Sequence, residues 1–159
     1  MDAVERVRQA LGAAGVAARV VELPQSTRTA AEAAAAMGCG VAQIAKSIIF
    51  RRTDTSRAVL VITSGINRVD EKKVSAHIGA KIGKADADFV RAATGYVIGG
   101  VPPLGHAQPI ETLVDEDLLR FETIWAAAGT PNAMFESSTR ELVRAAGGRV
   151  LAVAVSPPG

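Results

Sequence analysis

The chain has 159 residues, 48% of them apolar and only 4% aromatic, with 18 basic against 16 acidic side chains and a formal charge of +2. That length suits one domain with a sizeable core of Ala, Val, Ile and Leu, and the shortage of aromatic rings excludes the stacking platform of many single-strand RNA readers. The small positive charge permits contact with a nucleic acid backbone without demanding it, and a lone cysteine, Cys39, excludes an internal disulfide and a cysteine-rich metal site.

The chain opens with MDAVERVRQALGAAG, where Ala3, Val4, Val7, Ala10 and Leu11 recur at helical spacing. Acidic residues interrupt this segment, so it does not read as a signal peptide, and no apolar run is long enough to span a bilayer. A cytoplasmic protein with no membrane role is expected. A short strand is expected over residues 19–23, and then an alanine-rich helix that Thr29 and Glu32 begin as a capping box and Gly38 stops. Cys39, in MGCGV, reads as a small packing residue rather than a nucleophile, because neither His77 nor His106 is near it in sequence.

VAQIAKSIIFRR and AVLVITSG, separated by the polar turn TDTSR, read as paired buried strands. NRVDEKKVSAHIG reads as a helix, AKIGKA as a short strand and DADFVRAATG as another helix. Past a glycine-rich loop, PIETLVDEDLL supplies a strand and a turn, with Asp115 capping the turn, and ETIWAAAG and NAMFESS supply two more strands. Ser138 with Glu141 caps a further helix that ends at Gly147, and RVLAVAV reads as a closing strand. Too many strands follow one another directly for a regular doubly wound sheet, so the expected class is α+β, a mixed sheet with helices packed against it.

Three sets of residues have chemical potential. Lys46 stands directly before four residues of a buried strand; its ammonium either snorkels to water or is aimed into a cleft, where it would bind a phosphate or stabilise an oxyanion. The loop TGYVIGGVPPLGH puts four glycines and two prolines into residues 94–106, either as a tight structural turn or as a cradle of N–H groups for an anion or carbonyl. It matches neither a P-loop nor a dinucleotide-binding turn, which sets kinases and dehydrogenases aside. The third set is His77, His106, Asp115, Glu116 and Asp117; the two histidines lack the spacing of a metal site, and no metal or other cofactor is expected.

Taken in order, IAKSIIF, VITSGINRVDEKKV, TGYVIGGVPPLGH and TLVD resemble the YbaK/ProX family of aminoacyl-tRNA deacylases, over residues 29–155. The resemblance implies a single α+β domain over residues 1–159 with a mixed, partly barrel-like sheet. It also implies a free-standing editing enzyme, related to the insertion domain of bacterial prolyl-tRNA synthetases, that hydrolyses the ester of mischarged tRNA. The substrate it implies is proline tRNA carrying alanine or cysteine, with prolyl-tRNA synthetase as a possible partner and no cofactor.

By the same resemblance Lys46 holds the terminal adenosine or its phosphate, the backbone of Gly99 and Gly100 holds the aminoacyl carbonyl, and Pro103, Leu104 and Gly105 complete the loop. Met134, Ile62 or Val97 would line the amino acid pocket. His106 is either an acid or base beside the loop or a loop-surface residue, and Thr29 either a helix cap or a substrate contact at the cleft mouth. Arg68 is open to pairing or tRNA contact, whereas Asp70 reads as structural. The alternative function is a non-catalytic module that binds tRNA 3' ends or aminoacyl-adenylate-like ligands.

Overall fold

The computed structural model describes residues 2–27 and 29–156. Helix α1 (Ala3–Ala13) starts where the Asp2 carboxylate accepts from Glu5 N at 2.8 Å, and it buries Val4, Val7 and Leu11 on one face. Strand β1 (Ala18–Glu22) precedes α2 (Ala30–Met37), which Thr29 caps as expected and Gly38 ends in the left-handed conformation at φ 68°. A 3-10 turn over Val41–Gln43 leads into β2 (Ile44–Arg52), which forms a hairpin with β3 (Ala58–Ser64). Next come α3 (Glu71–Ile78), β4 (Ile82–Lys84) and α4 (Ala87–Thr94), with Asp70 and Asp86 capping the two helices. After the glycine loop, β5 (Glu111–Asp115) runs into a 3-10 turn at Glu116–Arg120, and β6 (Thr123–Ala127), β7 (Ala133–Ser138), α5 (Thr139–Ala146) and β8 (Arg149–Leu151) complete the order.

Among the described residues one mixed sheet joins eight strands, seven in the order β1-β7-β6-β2-β3-β5-β8 with β4 off this path on β2, and it stays unclosed between β1 and β8. The second edge of β2 is shared: β6 pairs with it in parallel at Ile44 and Ala45, and β4 pairs antiparallel from Phe50 to Arg52. β3, β5 and β8 run parallel to one another. Register and pleat together put Ile44, Lys46, Val61, Thr63, Leu113, Asp115, Trp125 and Met134 on one face, and Ala45, Leu60, Ile62, Val114, Ala126 and Phe135 on the other.

The second face carries the main core, closed by α1, α4, α5 and the loop residues Tyr96, Val101 and Leu104. The first face has two separate covers. Under α2, Ile44, Trp125 and Met134 pack against Ala33 and Ala34; under α3, Val59, Val61 and Leu113 pack against Val74 and Val153. On β2 Lys46 lies between Ile44, which belongs to the first cluster, and Ile48, whose partner Val61 belongs to the second. A charged residue is tolerated there because neither cover closes over it.

The closing strand is shorter than the expected run over 149–155. β5 ends at Asp115, the partner of Leu151, and turns away into the 3-10 segment, so β8 runs out of a neighbour. The chain finds its next backbone partners beside α3: Asp70 N donates to Val153 O at 2.7 Å, Val155 N donates to Arg68 O at 2.8 Å, and Val69 and Ala154 form an isolated bridge. Among the described residues no helix is long and apolar enough to cross a membrane.

Candidate active site

Strand β2 holds Lys46 opposite Thr63 of β3, half-buried, with its Nζ donating to Asn67 O at 2.9 Å. Burial lowers the pKa of this amine, and the Asp115 carboxylate partly opposes the shift. The ammonium has three donors, and this is its one hydrogen bond among the described residues.

Asp115 is the hub of the surrounding network. Only 1% exposed, it accepts at Oδ2 from Thr63 Oγ1 at 2.9 Å, Ser64 N at 3.1 Å and Asn67 Nδ2 at 2.8 Å. At Oδ1 it accepts from Asp117 N at 2.9 Å, which makes it the cap of the 3-10 turn as expected. Asn67 Nδ2 donates equally closely to Asp117 Oδ2, and Arg120 pairs with the other oxygen of Asp117 at 3.2 Å. Past Asn67 and Asp115 opens a cleft of about 660 Å³, with Ser64, Arg68, Lys73, Arg120 and Phe121 in its walls; neither Lys46 nor the glycine loop lines it.

The glycine loop is anchored from beneath by buried Tyr96, Val101 and Leu104, and its outer residues Val97, Ile98 and Gly99 are exposed. Gly100 N donates to Val97 O at 2.9 Å, closing a tight turn, and Gly129 N donates to Gly100 O at 2.9 Å. Gly99 takes φ 90°, which favours glycine. The turn at 129–132, between β6 and β7, is gripped from its other side by Thr27, whose N and Oγ1 both donate to Pro131 O. Lys46 and the loop therefore flank the end of one strand: Lys46 follows the residue paired with Ala126, and Gly100 bonds three positions beyond Ala126. No hydrogen bond joins them directly among the described residues.

The other expected site residues are spread around this frame. Met134 is on the Lys46 face but only 4% exposed, packed with Trp125 beneath α2. Ile62 is a correction: its side chain points into the core on the opposite face and is 2% exposed, because the one-residue offset from Thr63 reverses its direction. Leu104 is likewise a core side chain and Pro103 is buried, so the loop does not present either side chain to a ligand as expected. At Gly105, with φ 76°, a β-carbon would lie 2.7 Å from Ala10 Cβ, which gives this glycine a packing role. His106 Nε2 lies 2.6 Å from Pro102 O, and burial lowers its pKa against that hydrogen bond. Thr29 is exposed, and its hydroxyl is engaged with Glu32 N and Oε1.

Sequence reasoning missed Asn67 and the hub role of Asp115. Both lie inside the distinctive stretches SGIN and TLVD, but a strand-end aspartate and a loop asparagine carry no periodic signal. Ser47 was also missed; its buried Oγ has no hydrogen-bond partner among the described residues. Among the described residues no cluster of His, Cys, Asp or Glu is built to hold a metal ion.

Residues 24–145 match the aminoacyl-tRNA editing domain family, and the chain belongs to it. The match takes in Lys46, the Asn67–Asp115 network and the whole glycine loop. Protein YwhH of Bacillus subtilis (strain 168), itself uncharacterized, is 34% identical over 123 residues, 77% of this chain and 78% of YwhH. The crystal structure of a candidate trans-editing enzyme for prolyl tRNA synthetase is similar at 42% identity and TM-score 0.90, covering 98% of this chain and 99% of that one. That of hypothetical protein APE2540 is similar at 33% identity and TM-score 0.87, covering 94% and 99%. The mixed α+β fold is thus that of this candidate trans-editing enzyme.

Proposed function

We propose that this protein is a free-standing, cytoplasmic aminoacyl-tRNA deacylase that clears mischarged tRNA, with proline tRNA bearing a small wrong amino acid of the alanine or cysteine class as its substrate. The observation that carries the reading is Lys46, a partly desolvated ammonium at an uncovered seam of the sheet in a chain of the aminoacyl-tRNA editing family. The neighbour named for prolyl tRNA synthetase supports proline tRNA as the substrate and that synthetase as a partner.

In this reading Lys46 binds the terminal adenosine or its phosphate and the exposed backbone of Gly99 takes the aminoacyl carbonyl, while Gly100, buried and bonded through its N to Val97 O and through its carbonyl to Gly129 N, holds the turn in shape rather than meeting the substrate. Water adds to the carbonyl carbon, the oxyanion forms against the Gly99 N–H, and the bond to the ribose oxygen breaks. The products are the free amino acid and tRNA with its hydroxyl restored. An aminoacyl ester is already activated, so positioning and oxyanion stabilisation do most of the work and no side-chain nucleophile is required. Met134, packed beneath α2, does not reach the substrate in this reading, and one methylene in an apolar amino acid pocket discriminates by only about 1–3 kcal/mol.

The test is hydrolysis of proline tRNA charged with alanine, cysteine, serine or proline, by wild type and Lys46→Ala. Faster clearance than the spontaneous rate of one mischarged species, lost in the variant, is the expected result. If every ester survives while a non-hydrolysable aminoacyl-adenosine analogue binds saturably, the protein is a binding module and the deacylase reading falls.

A further inference from the structure

Asn67 joins the Lys46 amine to the Asp115 hub through two different groups. Its main-chain carbonyl receives Lys46 Nζ at 2.9 Å, and its side-chain amide is held at 2.8 Å by Asp115 and at 2.8 Å by Asp117. The loop that carries it has little freedom. Gly65 N donates to Ile44 O at 2.8 Å, Asn67 N donates to Ser64 O at 2.9 Å, and Ser64 Oγ donates to Ala42 O at 2.8 Å. A β-carbon on Gly65 would stand 2.9 Å from Ala30 Cβ, so the loop is also pressed against the start of α2. A lysine has four rotatable side-chain bonds and loses much rotamer entropy when it is fixed, so an acceptor already immobile lowers the cost of holding the ammonium in one place.

We propose that Asn67 is a positioning residue for Lys46: its amide, clamped between Asp115 and Asp117, fixes the carbonyl that aims the ammonium. This rests on the reading of Lys46 as the cation that meets the 3' end of the substrate. The charged groups facing the cluster are Asp115 and Asp117 from the end of β5 and the 3-10 turn, and Arg120 through Asp117. Asn67 itself touches no reacting atom in this scheme. Its effect belongs in turnover, because a misaimed cation costs transition-state contact more than it costs association of a whole tRNA.

The experiment reads kinetics on the unmodified full chain and NMR on the same chain with its lysines reductively dimethylated with 13C, a modification that keeps the charge and one N–H donor. The Lys46 resonance is assigned by its absence in Lys46→Arg. In folded Asn67→Ala the Lys46 signal is expected to sharpen and its pKa to rise toward that of an exposed lysine, while kcat for the preferred mischarged tRNA falls at least about tenfold with KM little changed. Asp117→Ala, which removes one of the two clamps and leaves the buried Asp115 in place, is the second variant should Asn67→Ala not fold, and it is expected to shift both readouts in the same direction. A Lys46 resonance and kcat that both stay at wild-type values in a folded variant overturn the proposal, as does a moved resonance with unchanged kcat. The NMR readout needs no deacylation, so failure of the deacylase reading shows as inactive wild type with the Lys46 signal still responding to Asn67.

Discussion

Gly100 lies directly against Thr130, and a β-carbon at Gly100 would stand 2.7 Å from Thr130 Cα and 2.8 Å from Thr130 N. The contact is backbone to backbone, so no side chain can swing away to relieve it. Gly100→Ala is expected to push the glycine loop off the β6–β7 turn, breaking the Gly129 to Gly100 hydrogen bond and costing about 1–3 kcal/mol in urea denaturation. At Gly99 the obstacle is conformational, since a β-carbon there meets only Pro131 at ordinary contact distance. Gly99→Ala should therefore cost about 1–2 kcal/mol through its left-handed backbone while leaving the loop in place. A destabilisation by Gly99→Ala larger than that by Gly100→Ala would contradict this ordering.

Asp115 should be the most costly polar substitution in the molecule. Asp115→Ala strands Thr63 Oγ1, Ser64 N and Asp117 N and leaves Asn67 Nδ2 with Asp117 alone, and Thr63 and Ser64 have almost no access to water. A loss of about 3–5 kcal/mol is expected, several times that of an average surface change, and chemical denaturation monitored by far-UV dichroism measures it.

Lys46→Met is expected to separate stability from activity. The variant removes one hydrogen bond to Asn67 O, but it also removes the desolvation cost of a half-buried ammonium, and the two effects oppose each other. Unfolding free energy should stay within about 1 kcal/mol of wild type while the proposed deacylation is lost. A large destabilisation would make Lys46 a structural ion.

Ser47→Ala should be neutral or stabilising by up to about 1 kcal/mol, because the hydroxyl it deletes is buried without a partner among the described residues. A clear destabilisation would mean that a bound water or another group satisfies the serine.

His106 gives a pH signature. Its pKa is depressed in the fold by burial, so the unfolded chain binds the proton more tightly. Stability from this group is fully present above the ordinary value of 6.5 and declines as pH falls through it toward the lower folded pKa. Thermal melts between pH 8 and about 5, above most carboxylate titrations, should show that decline in wild type and a flatter profile in His106→Gln.

Cys39 should alkylate slowly. Burial raises its thiol pKa, Glu136 adds to the shift, and the side chain packs at the edge of the α2 cluster. Iodoacetamide at neutral pH is expected to modify the native chain well below the rate for a free thiol and to reach full rate only on unfolding.

Local chemistry made most of the elements legible. The caps at Thr29 and Ser138 and the stops at Gly38 and Gly147 sit where hydrogen bonds within a few residues decide the outcome, and the β2–β3 hairpin follows from two apolar runs around a polar turn. Lys46 and the glycine loop stood out because each breaks the pattern around it. The directions of side chains on β3 were not legible, because both faces of that strand are buried and the alternation that would assign Ile62 to one of them is erased. Only the tertiary structure decided that β6 and β4 share one edge of β2, that β8 stops where β5 turns away, and that Asn67 and Asp115 meet across 48 positions of sequence beside an amine 21 positions before Asn67. Those outcomes depend on which strand ends become neighbours, a property of sheet order that residue spacing does not encode.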